Sequence, residues 1–310
     1  MEVVQSSLVG RLLLPVWLWL RERYEYSLLA KVIRGIARGW SQACSGSVLI
    51  GFLTREGCLS RAWKDSVLCQ VLTFVLSIPT ILLQKLYGAL RPVFENSVIA
   101  QIVFSAVENT PLAVGWLMLL FMVIPYKQWN NAYSFAGFVL CFLMAVVAGM
   151  RQRTFRLDVT FLGPWLVAFF GMILAAWPLS AYPALSTRFV FFYLTCILCV
   201  IVVVSTVRTG RHLLRLLSST SLSLLVISLY GVVQRIQGVE VNPSYVDMDL
   251  NEGMPGRVYG FFENPNAFAE VLLLLIPVAI AYMLCAKSWG GRFLGLLSAG
   301  AGCVAIAMTY

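Results

Sequence analysis

Charge is scarce in this sequence. Asp, Glu, Lys and Arg make up 12% of its 310 residues, about half the share found in a soluble domain. A chain with so little charge cannot present a water-facing surface along its whole length. Histidine is rarer still, with His212 the only one. The eight cysteines are scattered, and the C-x-x-C pair Cys196 and Cys199 falls inside the apolar run Phe189–Ser205. Zinc or redox chemistry needs deprotonated thiols and complementary ligands, and burial at lipid depth opposes both. All eight therefore read as small apolar side chains, and no metal or other cofactor is expected. The N-terminus does not read as a cleavable signal peptide, because Arg21, Glu22 and Arg23 follow Leu12–Leu20 with no small-residue cleavage site.

Apolar residues are what the chain has in abundance, at 60% of the total and a mean hydropathy of +0.83. Several runs exceed the roughly 18 residues needed to cross a hydrocarbon core of about 30 Å. The expected fold class is all-α, a polytopic membrane protein with about seven transmembrane helices after a basic amphipathic N-terminal region. The net charge of +9 does not argue for a nucleic-acid partner, since the basic residues sit in short loops between apolar runs. There they act as topology signals and contacts for anionic membrane lipids.

Residues 1–110 differ from the remainder. Over 1–95 basic residues outnumber acidic ones eleven to six. Leu29, Val32, Ile33 and Ile36 recur at helical spacing with Lys31, Arg34 and Arg38 opposite, a pattern suited to lying on an anionic leaflet. Ser66–Gln84 is uncharged and long enough to span, but carries Gln70, Thr73, Ser77, Pro79 and Thr80. It is expected to be interfacial or re-entrant. Glu108 reads as an interfacial anchor.

From residue 111 membrane helices are expected near 111–126, 132–150, 159–178, 188–206, 214–233, 265–286 and 293–309. The second loop between them holds Arg151, Arg153 and Arg156, the fourth Arg208, Arg211, His212 and Arg215, and the sixth Lys287 and Arg292. The first and third hold one basic residue each, Lys127 and Arg188. The fifth, 234–264, sets Arg235 and Arg257 against Glu240, Asp247, Asp249, Glu252 and Glu263. By the positive-inside rule the even loops and residues 1–110 face the cytoplasm and loop 234–264 is extracytoplasmic. That loop is the longest after residue 110, rich in Gly and Pro, and long unstructured loops are often functional.

The end of this loop carries a local argument. Asn264 suits an N-cap and Pro265 the first helical position. The free N–H groups of the following helix would then face outward with the positive end of its dipole. Arg257 lies seven residues upstream, and Gly260 would let the backbone fold its guanidinium over the helix end as an anion clamp. The alternative is a capped helix with a solvated loop arginine. Glu270, one turn into the helix, is an ionisable group at membrane depth or simply a partner of the dipole.

The stretch Tyr230-Gly231-Val232-Val233-Gln234, then Gly238, then Arg257-x-Tyr259-Gly260-x-x-x-Asn264-Pro265-Asn266-x-x-Ala269, resembles the O-antigen ligase/polymerase superfamily. Its members share an R-x-x-G-x-x-x-N-P-N signature followed by an apolar helix. Likeness of layout covers residues 110–310; the signature covers about 40 of them. The resemblance implies glycosyl transfer at the outer face of the cytoplasmic membrane, with a polyprenyl-diphosphate-linked glycan as donor and a glycan, lipid or protein acceptor. It implies no metal, so arginines must neutralise the leaving diphosphate. Arg257 is the candidate for that role and Arg188 the second. Asn264 and Asn266 would shape the helix end, with Tyr259, Phe261 and Phe262 against lipid or sugar.

Family members supply a further His and Arg from a larger outer loop after more helices, and Ala307-Met308-Thr309-Tyr310 resembles the point where they continue. Residues 1–310 alone are therefore expected to lack transferase activity. His212, in a cytoplasmic loop, would be on the wrong side to serve as the base. Two other readings stand beside this one. Some cyanobacterial relatives with the signature are associated with inorganic carbon accumulation, which implies a bicarbonate-type anion transporter, although no inverted repeat is visible. The other is a non-catalytic membrane partner.

Overall fold

The structure, a computed structural model, describes residues 8–239 and 256–309. Among these residues every regular element is helical. The main helices are α1 (Leu8–Tyr26), α2 (Leu28–Gly46), α3 (Val67–Ala89), α4 (Val98–Val107), α5 (Thr110–Val123), α6 (Asn131–Gly149), α7 (Gly163–Ala176), α8 (Pro183–Thr206), α9 (Gly210–Gln237), α10 (Pro265–Cys285) and α11 (Trp289–Ala307). Shorter helices, Val48–Thr54, Cys58–Lys64 and Arg91–Asn96, link α2, α3 and α4. Among the described residues α3, α6, α8, α9, α10 and α11 are long and apolar enough to cross a membrane. The chain is an all-α polytopic membrane protein.

Two expected spans are shorter than expected, and one segment not expected to span is a continuous helix long enough to do so. The first, near 111–126, is α5, whose 14 residues reach only about 21 Å at 1.5 Å per residue. It passes the length test only with α4, from which it is bent by 67°. The third, near 159–178, is shorter than expected, with apolar helix over Thr160–Ala176. The chain before it, Leu157 and Val159, is instead buried against α3 and α8. Ser66–Gln84, expected to be interfacial or re-entrant, is a capping Ser66 followed by part of a continuous helix of 23 residues that includes Pro79. A re-entrant path needs a break, and α3 has none.

Of the polar residues that set Ser66–Gln84 apart, Ser77 is a fastening point, and Gln84 at the end of the segment is another. Gln84 Nε2 donates to the carbonyls of Gly149, Gln152 and Phe155 at 3.1, 2.7 and 3.2 Å. Ser77 Oγ accepts from the Leu157 amide at 3.0 Å. Gln84 adds to carbonyls that already accept from Gln152, Phe155 and Arg156, whereas Ser77 supplies the partner of a buried amide.

Helix α9 is the centre of the bundle and touches α5, α10 and α11. Small residues make the approach possible, as expected where lipid supplies little drive for helix association. A Cβ on Gly115 would overlap the Ser219 hydroxyl, and one on Gly295 would stand 2.7 Å from the Met283 amide nitrogen. The buried Ser219, Thr220, Ser221 and Ser223 on α9 donate back to carbonyls three or four residues earlier. Their polarity is thus absorbed within the helix.

The loops sort by charge into two ends. Arg208 donates to the Arg156 carbonyl at 2.8 Å, joining the fourth loop to the second, while Arg211 and Arg215 line a cavity with Lys287 of the sixth. At the opposite end the Tyr126 amide donates to the Phe261 carbonyl at 3.0 Å, joining the first loop to the fifth. The N-terminal helices lean on the last two. Trp17 packs on Trp289 with ring centroids 4.5 Å apart, and α2 meets α10 through the face holding Ala30 and Ile33. Leu29, Val32 and Ile36 remain exposed, an apolar stripe free to meet lipid.

Candidate functional site

The residues that close the fifth loop fold into a compact turn over the start of α10. Asn264 is extended, at φ −147° and ψ 162°, and its Oδ1 accepts from the Ala267 amide at 2.8 Å. Pro265 takes the first helical position, so the helix begins as the Asn-Pro pair dictates. Gly260 stands at φ +59°, a conformation that costs glycine little and other residues much. The reversal it allows brings Arg257 back to the helix end. Arg257 Nη2 donates to Asn266 Oδ1 at 2.8 Å, and its Nε to the Thr309 carbonyl at 2.6 Å.

Gln234, in the last turn of α9, holds this turn from beneath. Its Oε1 accepts from the amides of Tyr259 at 3.1 Å and Gly260 at 2.9 Å. Arg235 Nη1 donates to the Gly256 carbonyl at 2.9 Å, and the Val258 amide donates to the Met308 carbonyl at 3.0 Å. Under the turn lies Phe268, fully buried. A Cβ on Gly231 would come within 3.0 Å of its ring and one on Gly260 within 3.3 Å. Both glycines are thus explained by one aromatic ring. Tyr230 stacks on Phe261 at 3.9 Å and 14°.

Beyond Phe261 the chain turns to a cavity of about 700 Å³. Its walls include Phe121, Tyr126, Trp129, Phe261, Phe262 and Glu263, with Arg188 from α8. The site therefore has two parts joined by one short stretch of chain. Arg257, Asn264 and Asn266 come together at the helix start, as the sequence suggests, whereas Arg188 stands in the aromatic cavity. Tyr259 is half-buried and contributes its backbone to the Gln234 bonds. Arg257, Tyr259, Asn264 and Asn266 are not cavity walls.

A guanidinium has five N–H donors, and Arg257 uses two of them on neutral acceptors among the described residues. Its charge is therefore positioned without a carboxylate from the described residues to cancel it. The acidic residues Glu240, Asp247, Asp249 and Glu252 lie outside the described residues. Among the described residues no three His, Cys, Asp or Glu side chains gather in a metal-ligating group. His212 lies at the other end of the bundle, its Nδ1 2.9 Å from the Thr206 carbonyl oxygen. Glu108 pairs with Arg151 at 3.1 Å, an anchor between the bend and the second loop. Glu270 is exposed on α10.

Sequence reasoning missed Gln234, Arg235 and the Thr309 carbonyl as parts of the clamp. An amide and a guanidinium in the last turn of a span, facing an irregular loop, were the available signal for the first two. A backbone carbonyl leaves no such mark. No protein-family model, curated protein or solved structure matches the chain.

Proposed function

We propose that this protein is a membrane glycosyltransferase of the O-antigen ligase/polymerase type. In this reading it transfers or polymerises a polyprenyl-diphosphate-linked glycan onto a glycan or lipid acceptor at the outer face of the cytoplasmic membrane. The observation that carries the reading is the seating of Arg257 on the Asn264-Pro265-Asn266 helix start. In the reaction the bond from the sugar carbon to the diphosphate oxygen breaks as the acceptor oxygen attacks that carbon. Negative charge then grows on the diphosphate, which a fixed guanidinium at a helix N-terminus is suited to hold. The acceptor proton passes to a base, which the resemblance assigns to a later outer loop.

The neighbouring cavity supports a lipid-linked donor over a small anion. Aromatic walls with a single arginine, Arg188, and a single carboxylate, Glu263, suit a molecule with apolar and polar parts. A bicarbonate ion, about one or two waters in size at roughly 30 Å³ each, would leave most of that space open.

Donor binding tests the reading without depending on a base. The full chain in lipid nanodiscs would be labelled with a photoreactive polyprenyl diphosphate, with the matching polyprenol as control. Expected is diphosphate-dependent labelling near Phe261–Ala267, reduced about tenfold or more by Arg257→Gln. Equal labelling by the polyprenol, or none lost in the variant, would sink the proposal. Uptake of labelled bicarbonate into vesicles, abolished by Arg257→Ala, would favour anion transport instead.

A further inference from the structure

The end of the bundle away from Arg257 holds a second cationic feature that the glycosyl-transfer reading does not use. A cavity of about 330 Å³ opens between α5, α8 and α9, with Arg208, Arg211, His212 and Arg215 in its wall. A second cavity, of about 310 Å³, adjoins it, and Arg211 and Arg215 line both, joined there by Lys287. Basic loops normally fan their arginines into water as topology signals. Here three arginines line one partly enclosed volume.

Two of them are fixed in place. Arg208 donates from Nε to the Ser205 carbonyl and from Nη2 to the Arg156 carbonyl, both at 2.8 Å. Its guanidinium carbon also lies 4.4 Å from the Phe155 ring centroid. Arg215 bonds Asn109 Oδ1. All three acceptors are neutral, so the charges stay uncompensated. Arg211 makes no hydrogen bond or ion pair among the described residues. The one carboxylate in the wall, Glu108, is engaged by Arg151 at 3.1 Å. Helices α5 and α9 both start at this cavity, with Thr110 and Pro111 of one and Arg211 and His212 of the other in its wall, and their dipoles add potential of the same sign. Like charges held together in a partly enclosed site repel one another, and a phosphate relieves the repulsion while accepting from the unused guanidinium donors.

The lining also says which phosphate. Val107 and Pro111 make part of the wall. On the same helix, α4, Ile99, Ile102 and Val103 are exposed, an apolar surface about two turns or less from Val107 in the cavity wall. A free phosphate has no use for that surface, whereas acyl chains do. We propose that Arg208, Arg211 and Arg215 form a binding site for the headgroup phosphate of an anionic phospholipid, seated at the bend between α4 and α5.

Native mass spectrometry of the full chain in detergent tests this, with phosphatidylglycerol, phosphatidylcholine and inorganic phosphate as separate probes. Expected is retention of phosphatidylglycerol over phosphatidylcholine, cut about tenfold by Arg211→Gln. Arg211 supports no internal hydrogen bond among the described residues, so this variant should fold; Arg211→Gln with Arg215→Gln should remove retention altogether. Lys127→Gln, exposed in the first loop at the other end of the bundle, should leave retention unchanged. Retention untouched by the double variant, or equally lowered by Lys127→Gln, overturns the site. Inorganic phosphate held as tightly as phosphatidylglycerol and displacing it overturns the lipid assignment.

Discussion

Residues 28–107 and residues 210–307 are both strings of helices with side-chain caps, Thr209, Asn264 and Ser288 serving the second set, yet they pack differently. In the first, a Cβ on Gly35, Gly39, Gly46, Gly51, Gly57 or Gly88 would meet nothing within 4 Å. Ser27, Ser47, Ser66 and Ser97 each accept from an amide in the first turn of the next helix, so the breaks are written one residue at a time. Outward apolar side chains such as Val67, Phe74 and Ile99 remain exposed. In the second, α9, α10 and α11 are defined by each other, through glycines that admit a neighbouring backbone or ring. The difference teaches that local caps fix where a helix starts, while small residues fix where it sits.

The largest effect that could break this comparison comes from a matched pair of glycines. Gly295→Leu would drive a side chain into the Met283 amide and the Ala279 carbonyl, which are backbone and cannot rotate away. A cost of about 3 kcal/mol or more is expected, seen as loss of the folded peak in detergent size-exclusion chromatography. Gly88→Leu on α3 has nothing within 4 Å and should leave that peak intact. Equal damage from both would end the distinction.

Next is Phe268→Ala, which empties the space that Gly231 and Gly260 enclose, at about 3–5 kcal/mol in thermal unfolding. Gln234→Ala should be milder, about 1–3 kcal/mol, because it leaves the Tyr259 and Gly260 amides unpaired. Faster hydrogen exchange at those two amides is its signature, with α11 unaffected. In the N-terminal string Ser66→Ala should cost about 1 kcal/mol, confined to exchange in the first turn of α3.

The smallest effect is a pH response. Arg91 holds the Glu95 carboxyl below its ordinary value of 4.5, chiefly through a hydrogen bond, with desolvation opposing it and charge attraction a smaller contribution. A lowered carboxyl pKa contributes stability above the ordinary value, and that stability is lost as pH falls through the folded one. The pair is fully exposed to solvent, so acidification below pH 4.5 should barely alter unfolding, and Glu95→Gln should be silent at pH 7.

The membrane helices were legible because length and composition decide them. The bend at Glu108-Asn109 was not, because apolar runs report what a segment is made of and not its direction. It is pinned by Arg151 to Glu108 and by Arg215 to Asn109, partners far apart in sequence. The meeting of Arg257 with Asn266 was legible because both lie within one short stretch with Gly260 between them. The Thr309 and Gln234 contacts required knowing which helix ends meet, and that is set by Gly231, Gly295 and Gly302 packing across helices. Ser77 misled for a related reason. Polarity in an apolar run reads as unsuitability for lipid, whereas here it holds the loop after α6.

Helix α9 carries Arg211 and Arg215 in its first two turns and Gln234 and Arg235 in its last. Its 28 residues form a strut of about 42 Å with one cationic site fastened to each tip. The turn after Gly256 hangs from this strut by hydrogen bonds, two from its amides to Gln234 and one from Arg235 to the Gly256 carbonyl, so it is expected to move with α9. A ligand that draws α9 towards one end therefore changes the seating of the loop at the other. Exchange rates at the Tyr259 and Gly260 amides, read with and without phosphatidylglycerol, measure that mechanical link directly.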